Sequence, residues 1–382
     1  MSTAREPVEH AIEVAPENAL RDTAAKRALL LDVRDDNERA AGVARGSIGL
    51  SLARLESDIA AIAPDRAMPI VTLCASGKRS LLARERLLAL GYASVHSMAG
   101  GIERWRREGL PIDGDALDDD ALDRYSRHLL LPEVGVAGQR RLLDSRVVLI
   151  GAGGLGAPVA MYLAAAGVGD LTLIDDDVVE RSNLQRQVIH REATIGSSKV
   201  ESAKAMLLAL NPRLRVNAQM ARVVAANVEE LIRCHDVVID GADNFPTRHL
   251  LNAACLRLRI PLVYGAVHRF TGQVSVFDPR RDDSPCYRCL FSQPPSAAEA
   301  PNCSEAGVLG VLPGTIGLLQ ATEALKLLLG IGDPLVGRLL CYDAVAARFR
   351  ELALPRDPDC PGCGPAAPKL GYEDIERVCS SA

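Results

Sequence analysis

The chain has 382 residues, of which 48% are hydrophobic and 24% charged, with a formal net charge of −5. That size calls for two or three domains around ordinary hydrophobic cores, and the absence of a basic field or an aromatic-rich surface argues against a nucleic-acid partner. Ten cysteines are too few for a disulfide scaffold, and four of them form CxxC pairs, which points to metal or thiol chemistry in a reducing cytoplasm.

The opening residues, MSTAREPVEHAIEV, contain acids and no apolar stretch, so they do not read as a signal peptide. Residues 28–33 (ALLLDV) and 69–74 (PIVTLC) read as strands, the second leading into a helix over 80–90. A third short strand over 93–98 ends at Ala99-Gly100-Gly101. This alternation predicts a small α/β domain over residues 8–112 with a mostly parallel sheet. Residues 113–123 (DGDALDDDALD) read as a solvated, extended acidic linker. The second domain, residues 124–364, is expected to open with a helix over 125–143. A strand over 146–150, a glycine loop, a helix over 157–166 and a strand over 171–175 follow, the βαβ start of a doubly wound sheet. Further strands are expected at 236–240, 262–264 and 273–277, with a hairpin over 338–354. The most apolar stretch, 306–332, is interrupted by Pro313, Gln320, Glu323 and Lys326 and reads as a buried turn and helix, so no membrane partner is expected. Residues 365–382 form a tail without a pattern.

Gly151-Ala152-Gly153-Gly154-Leu155-Gly156 lies between a strand and a helix, the context of a nucleotide-binding turn. Glycines let the backbone approach a phosphate, and a helix N-terminus offers free N–H groups and a positive dipole end. Asp175, at the end of the next strand, can accept hydrogen bonds from ribose. These features alone would favour an NAD-dependent oxidoreductase. Ser182-Asn183-Leu184-Gln185-Arg186-Gln187 and Lys199 add cations suited to a triphosphate, and Asp243-Asn244 after the strand DVVID supplies a carboxylate placed for Mg²⁺.

GAGGLG, LIDDDVVERSNLQRQ, GSSKVESA and DGADNFPTRHLLN, together with two CxxC pairs, resemble the MoeB/ThiF enzymes, relatives of the ubiquitin-activating enzymes, over residues 122–364. The resemblance implies a Rossmann-like ATP-binding domain that adenylylates the C-terminal glycine of a ubiquitin-like sulfur carrier of the MoaD or ThiS type. The carrier of molybdopterin synthesis is the first expectation; carriers for thiamine or tRNA thiolation are compatible. It further implies that Gly151, Gly153, Gly154 and Gly156 hold the phosphates, Asp175 the ribose, and Asn183, Arg186 and Lys199 the triphosphate, while Asp243 organises Mg²⁺. Arg127 matches an arginine that reaches the nucleotide from a partner subunit, implying a homodimer. The reaction needs positioning and charge neutralisation rather than a proton shuttle, because a carboxylate must attack an anionic phosphate.

Cys286, Cys289, Cys360 and Cys363 form two knuckles about seventy residues apart, a donor set for a closed, structural Zn²⁺ site. Cys74 ends a strand and opens the loop Cys74-Ala75-Ser76-Gly77-Lys78-Arg79-Ser80 directly before a helix, a position that stabilises an anionic sulfur. This loop, with LLLDVRDDNE before it and GGIERWRREGLPI after it, resembles the rhodanese domain over residues 8–112. The resemblance implies that Cys74 carries a persulfide from a sulfur donor and that Arg79 stabilises its charge. One departure is Val43, where that family often has histidine. Cys303 lies in the loop-like segment FSQPPSAAEAPNCSEAG and aligns with a cysteine that links to the carrier in relatives. The expectation is that the Cys74 persulfide attacks the carrier adenylate and Cys303 resolves the acyl disulfide to a thiocarboxylate.

Overall fold

The computed structural model describes residues 12–114, 117–292, 307–365 and 372. The chain divides into two compact units, residues 1–139 and 140–382. In the first, β1 (Glu13–Val14), β2 (Leu29–Asp32), β4 (Ile48–Gly49), β5 (Ile70–Leu73) and β6 (Val95–Met98) form a parallel sheet in the order β1-β6-β5-β2-β4. A small antiparallel ribbon pairs β3 (Val43–Ala44) with β7 (Ile112–Asp113). Both faces of the sheet are covered, which is why its strands are continuous apolar runs rather than alternating ones. Leu30, Leu73 and Met98 pack with Trp105 and Ile102 on one side, and Leu31, Ile70 and Cys74 pack with Leu55, Ala83 and Leu87 on the other.

Two expectations are corrected here. The helix expected over 125–143 is broken into Ser126–Leu129 and Gly135–Asp144. Pro132 lies in the gap; it lacks an amide hydrogen and biases the preceding residue away from helix. The acidic stretch is not extended throughout, because Asp119–Arg124 is helical. Asp118 caps that helix by accepting from the Ala121 amide at 2.9 Å, and acids in its first turn meet the positive dipole end.

The second unit carries an eight-stranded sheet of β8 (Arg146–Ile150), β9 (Asp170–Ile174), β10 (Arg215–Gln219), β11 (Val237–Asp240), β12 (Leu262–His268), β13 (Thr271–Phe277), β14 (Arg338–Asp343) and β15 (Arg348–Ala353). The order is β10-β9-β8-β11-β12-β13-β14-β15, parallel through β12 and antiparallel beyond. The chain runs outward from β8 to β10, then returns to place β11 on the other side of β8. The carboxyl ends of β8 and β11 therefore flank a topological switch point, where open α/β sheets bind ligands. Helices Gly156–Ala166, Lys199–Leu210 and Val311–Leu329 bury one face, and Val228–Ile232 and Phe245–Leu258 the other. Strand β10 is barely apolar, which is why the sequence pattern did not disclose it.

Candidate functional site

A cleft of about 680 Å³ opens at the switch point. Its walls include Gly151, Gly153 and Gly154 from the loop after β8, Asp175 after β9, Arg186, Lys199, and Asp243 and Asn244 after β11. The loop is tightly drawn: a Cβ at Gly156 would stand 1.9 Å from the Gly151 carbonyl oxygen, so only glycine lets the helix Gly156–Ala166 begin there.

The carboxylate of Asp175 accepts from the Ala152 amide at 2.7 Å and the Asp177 amide at 2.9 Å, tying the second strand end to the glycine loop. Burial raises Asp175 above the usual carboxylate range, against the pull of Lys199. Lys199 is itself buried and pairs with the exposed Asp177 at 2.7 Å. His190 supports the loop from behind, its Nε2 3.0 Å from the Ala152 carbonyl and its Nδ1 3.0 Å from Ser202 Oγ; burial lowers its basicity. On the other wall, Asp240 at the end of β11 is buried, which raises its carboxyl against the attraction of Arg248 3.0 Å away. Arg248 also donates to the carbonyls of Ala242 and Gly265, holding the turn that carries Asp243.

Several predicted residues serve this cleft indirectly. Asn183 is buried and accepts from the Glu180 amide at 3.3 Å, while Ser182 bonds Glu180 and its carbonyl receives Arg186. Leu184 and Gln185 do not line the cleft; Gln185 packs against Gly310. Asn244 lines it, yet its Oδ1 also caps the helix Phe245–Leu258 by accepting from the Thr247 amide. Arg127 is exposed on its short helix in the first unit. Sequence reasoning assigned no role to Asp177, His190, Asp240 or Arg248. Asp177 and Arg248 stand inside LIDDDVV and NFPTRH, but nothing in the linear pattern separates them from surface charges.

The two CxxC pairs converge. Cys286 Sγ lies 3.6 Å from Cys360 Sγ and Cys289 Sγ 3.5 Å from Cys363 Sγ, and all four sulfurs lie within 4.8 Å of one another. Four sulfurs about 2.3 Å from a tetrahedral zinc would stand about 3.8 Å apart, so the donor set fits that ion. Cys286 is pushed up by its thiol hydrogen bonds to Cys289 and Cys360, and Cys360 is drawn down to about 6. Amide groups of Cys286 and Gly362 point at Cys289 and Cys360 Sγ, at 3.4 and 3.3 Å.

In the first unit, Cys74 is buried at the end of β5, and the Gly77 amide points at its sulfur from 3.2 Å. The opposite wall is the turn Gly100–Gly101. Ile102 and Glu103 amides bond the Cys74 and Ala75 carbonyls, and a Cβ at Gly101 would stand 2.4 Å from the Cys74 oxygen. Arg79 makes a bidentate pair with Glu38 at 2.7 and 2.6 Å, which depresses the Glu38 carboxyl. Glu38, whose role sequence reasoning missed, thus decides where the Arg79 fork points. Cys303 lies outside the described residues.

The ThiF family model matches residues 125–362 and the rhodanese-like domain model residues 15–108. A SAMP-activating enzyme E1 of Haloferax volcanii is 54% identical over 267 residues, covering 70% of this chain and 97% of that protein. A sulfur carrier protein adenylyltransferase of Thermus thermophilus is 49% identical, with coverages of 68% and 97%. A probable adenylyltransferase/sulfurtransferase, MoeZ of Mycobacterium tuberculosis, is 46% identical over 64% of this chain and 63% of its own length. The fold also matches that of E. coli MccB solved with ATP, at a TM-score of 0.57 and 22% identity over 65% of this chain and 75% of that one. The chain belongs to the ThiF family and carries a rhodanese-like domain ahead of its ThiF region.

Proposed function

We propose that this chain uses ATP to adenylylate the C-terminal carboxylate of a ubiquitin-like sulfur-carrier protein and that its rhodanese-like domain supplies the sulfur. The observation that carries the reading is the convergence of the glycine loop, Asp175, Arg186, Lys199 and Asp243 on one cleft at the switch point of the sheet. The names of the relatives, an activating enzyme and two adenylyltransferases, support it.

In this mechanism the carrier carboxylate attacks the α-phosphorus of ATP, and pyrophosphate leaves as the acyl–adenylate forms. Loop amides and the helix Gly156–Ala166 hold phosphate oxygens, Arg186 and Lys199 offset their charge, and Asp175 orients the ribose. Asp243 would hold Mg²⁺, which supplies further charge neutralisation. No general base is needed, since a C-terminal carboxylate is ionised at neutral pH. A Zn²⁺ on Cys286, Cys289, Cys360 and Cys363 would fasten the segment after β15 to the domain body. The Cys74 persulfide then attacks the carrier carbonyl and displaces AMP; the Cys303 thiolate attacks Cys74 Sγ of the acyl disulfide, the thiocarboxylate leaves, and an external dithiol reduces the resulting Cys74–Cys303 disulfide. A cytoplasmic homodimer, with Arg127 completing the partner's nucleotide site, belongs to the same proposal. Among the described residues no helix is long and apolar enough to cross a membrane.

The test is carrier-dependent ATP–pyrophosphate exchange, scored with carrier proteins ending in Gly-Gly, followed by mass spectrometry for adenylate and thiocarboxylate. Asp243→Ala should abolish exchange. Exchange without a carrier, or none with any carrier, refutes the reading.

A further inference from the structure

The loop around Cys74 contains more than backbone amides. Ser80, in the first turn of the helix Lys78–Ala89 and next to the sulfur, and Ser97, on the neighbouring strand β6 behind it, are both fully buried. Ser80 Oγ lies 3.5 Å from Cys74 Sγ, 2.8 Å from the Gly77 carbonyl and 2.9 Å from Ser97 Oγ. Strand pairing sets Ser97 opposite Thr72, and the Thr72 hydroxyl, 2.8 Å from the Ser80 carbonyl, ties down the same helical turn. Two serines stacked in an otherwise apolar sheet–helix seam need a reason, because buried hydroxyls are retained where they have partners.

A hydroxyl has one proton and two acceptor lone pairs, and it rotates to suit its neighbours. While Cys74 is a thiol, its S–H points to Ser80 Oγ and the Ser80 proton goes to the Gly77 carbonyl. We infer that Ser80 turns its proton toward Cys74 whenever the sulfur is anionic, and that Ser97 donates to Ser80 Oγ at that moment, forming a two-hydroxyl relay behind the thiolate. This inference rests on the sulfurtransferase reading above and names the groups that stabilise the charge. In the half-reaction Cys74–S–S⁻ + CN⁻ → Cys74–S⁻ + SCN⁻, cyanide bonds to the outer sulfur, the S–S bond breaks, and its electron pair settles on Cys74 Sγ. Ser80 touches the atom that gains this charge and is a catalytic residue. Ser97 acts through Ser80 and is a positioning residue. The Gly77 amide approaches the same sulfur from the loop side, so the anion is met from two directions.

The experiment uses the full-length protein and the variants S80A, S80T, S97A and S80A/S97A. The protein is loaded with thiosulfate, and single-turnover release of thiocyanate is followed after adding cyanide. A hydrogen bond to a charged group predicts that S80A slows release by about 10- to 100-fold, while S97A, removing a neutral bond, slows it about 3- to 10-fold. S80A/S97A should be no slower than S80A alone, because Ser97 has no route to the sulfur without Ser80, and S80T should restore most of the rate. The loading rate should recover in S80A at high pH, its acid limb displaced upward, a change that loosened packing would not produce. Release within twofold of wild type in S80A with an unmoved pH profile overturns the proposal, as do multiplicative effects in the double variant. Should S80A fail to fold, S97A decides by the same pH profile. If the wild-type protein releases no thiocyanate, the sulfurtransferase reading fails by itself. The relay is then judged by Cys74 alkylation at pH 7, which S80A should slow at least tenfold and which an unchanged rate would refute.

Discussion

Replacing Asp32 by alanine strands a guanidinium inside the rhodanese-like unit. Both partners of the Asp32–Arg34 pair are shielded from solvent, their side chains 0% and 3% exposed. Asp32 accepts from Arg34 Nε at 2.9 and 3.0 Å, from Nη2 at 2.6 Å and from the Arg34 amide at 3.1 Å. Among the described residues, the Glu38 and Gly42 carbonyls, at 3.3 and 3.0 Å, still accept from the arginine once the carboxylate is gone. Removing one member of a buried pair costs about 3–5 kcal/mol, a large share of the roughly 5–15 kcal/mol that holds a typical domain folded. The sole tryptophan, Trp105, is fully buried in this unit, so its fluorescence in a urea titration follows this unit's unfolding. D32A should lower the unfolding free energy by about that amount, while D32A/R34M, which removes the stranded charge as well, should regain most of it. The same loop carries Glu38, so D32A should also slow sulfur transfer under conditions where the domain is still folded. A loss below about 1 kcal/mol, or a double variant as unstable as the single one, would refute the account of this pair as the anchor of the loop.

Gly156→Ala should weaken ATP binding at least tenfold by calorimetry, since its Cβ overlaps the Gly151 carbonyl and displaces the phosphate loop; unchanged affinity would show that the loop is not the binding element. Glu38 is depressed by its bond to Arg79, so it stabilises the fold above its unfolded value near 4.5, and that contribution is lost as pH falls through the lower folded value. Trp105 melts between pH 5 and 3 should therefore decline less steeply in E38Q than in wild type. Metal analysis of the purified protein should find one zinc per chain. Stripping it with a chelator, or Cys286→Ser, should lower the melting temperature of the second unit; a metal-free protein of equal stability would refute a structural zinc at the four cysteines.

Much of this protein could be read from its chain because its chemistry is carried by short local patterns. The glycine loop after the strand Arg146–Ile150 and the loop from Cys74 to Ser80 are contiguous, and strand, turn and helix propensities place them without tertiary help. Breaks in that reading have physical causes. A helix through Pro132 follows from apolar spacing alone, and the proline cut it. The acidic run reads as extended, but the Asp118 cap on the Ala121 amide supports a helix over Asp119–Arg124. Strand β10 has little apolar signal because most of its residues are only partly covered.

The sequence by itself singled out the groups to which the proposed chemistry is assigned: the glycine loop, the carboxylates at the ends of successive strands, Cys74 and the two cysteine knuckles. Only the tertiary structure decided what those groups face. Lys199 pairs with Asp177, twenty-two positions away, Arg79 with Glu38 across forty-one, and Cys286 meets Cys360 across seventy-four. Such partners are chosen by sheet order and helix packing, which bring together residues that no local periodicity relates. The buried hydroxyls of Ser80 and Ser97 are the clearest case. In the chain Ser80 merely ends the Cys74 loop and Ser97 carries no signal, and they meet behind Cys74 only because β6 pairs with β5 and the helix Lys78–Ala89 closes over both.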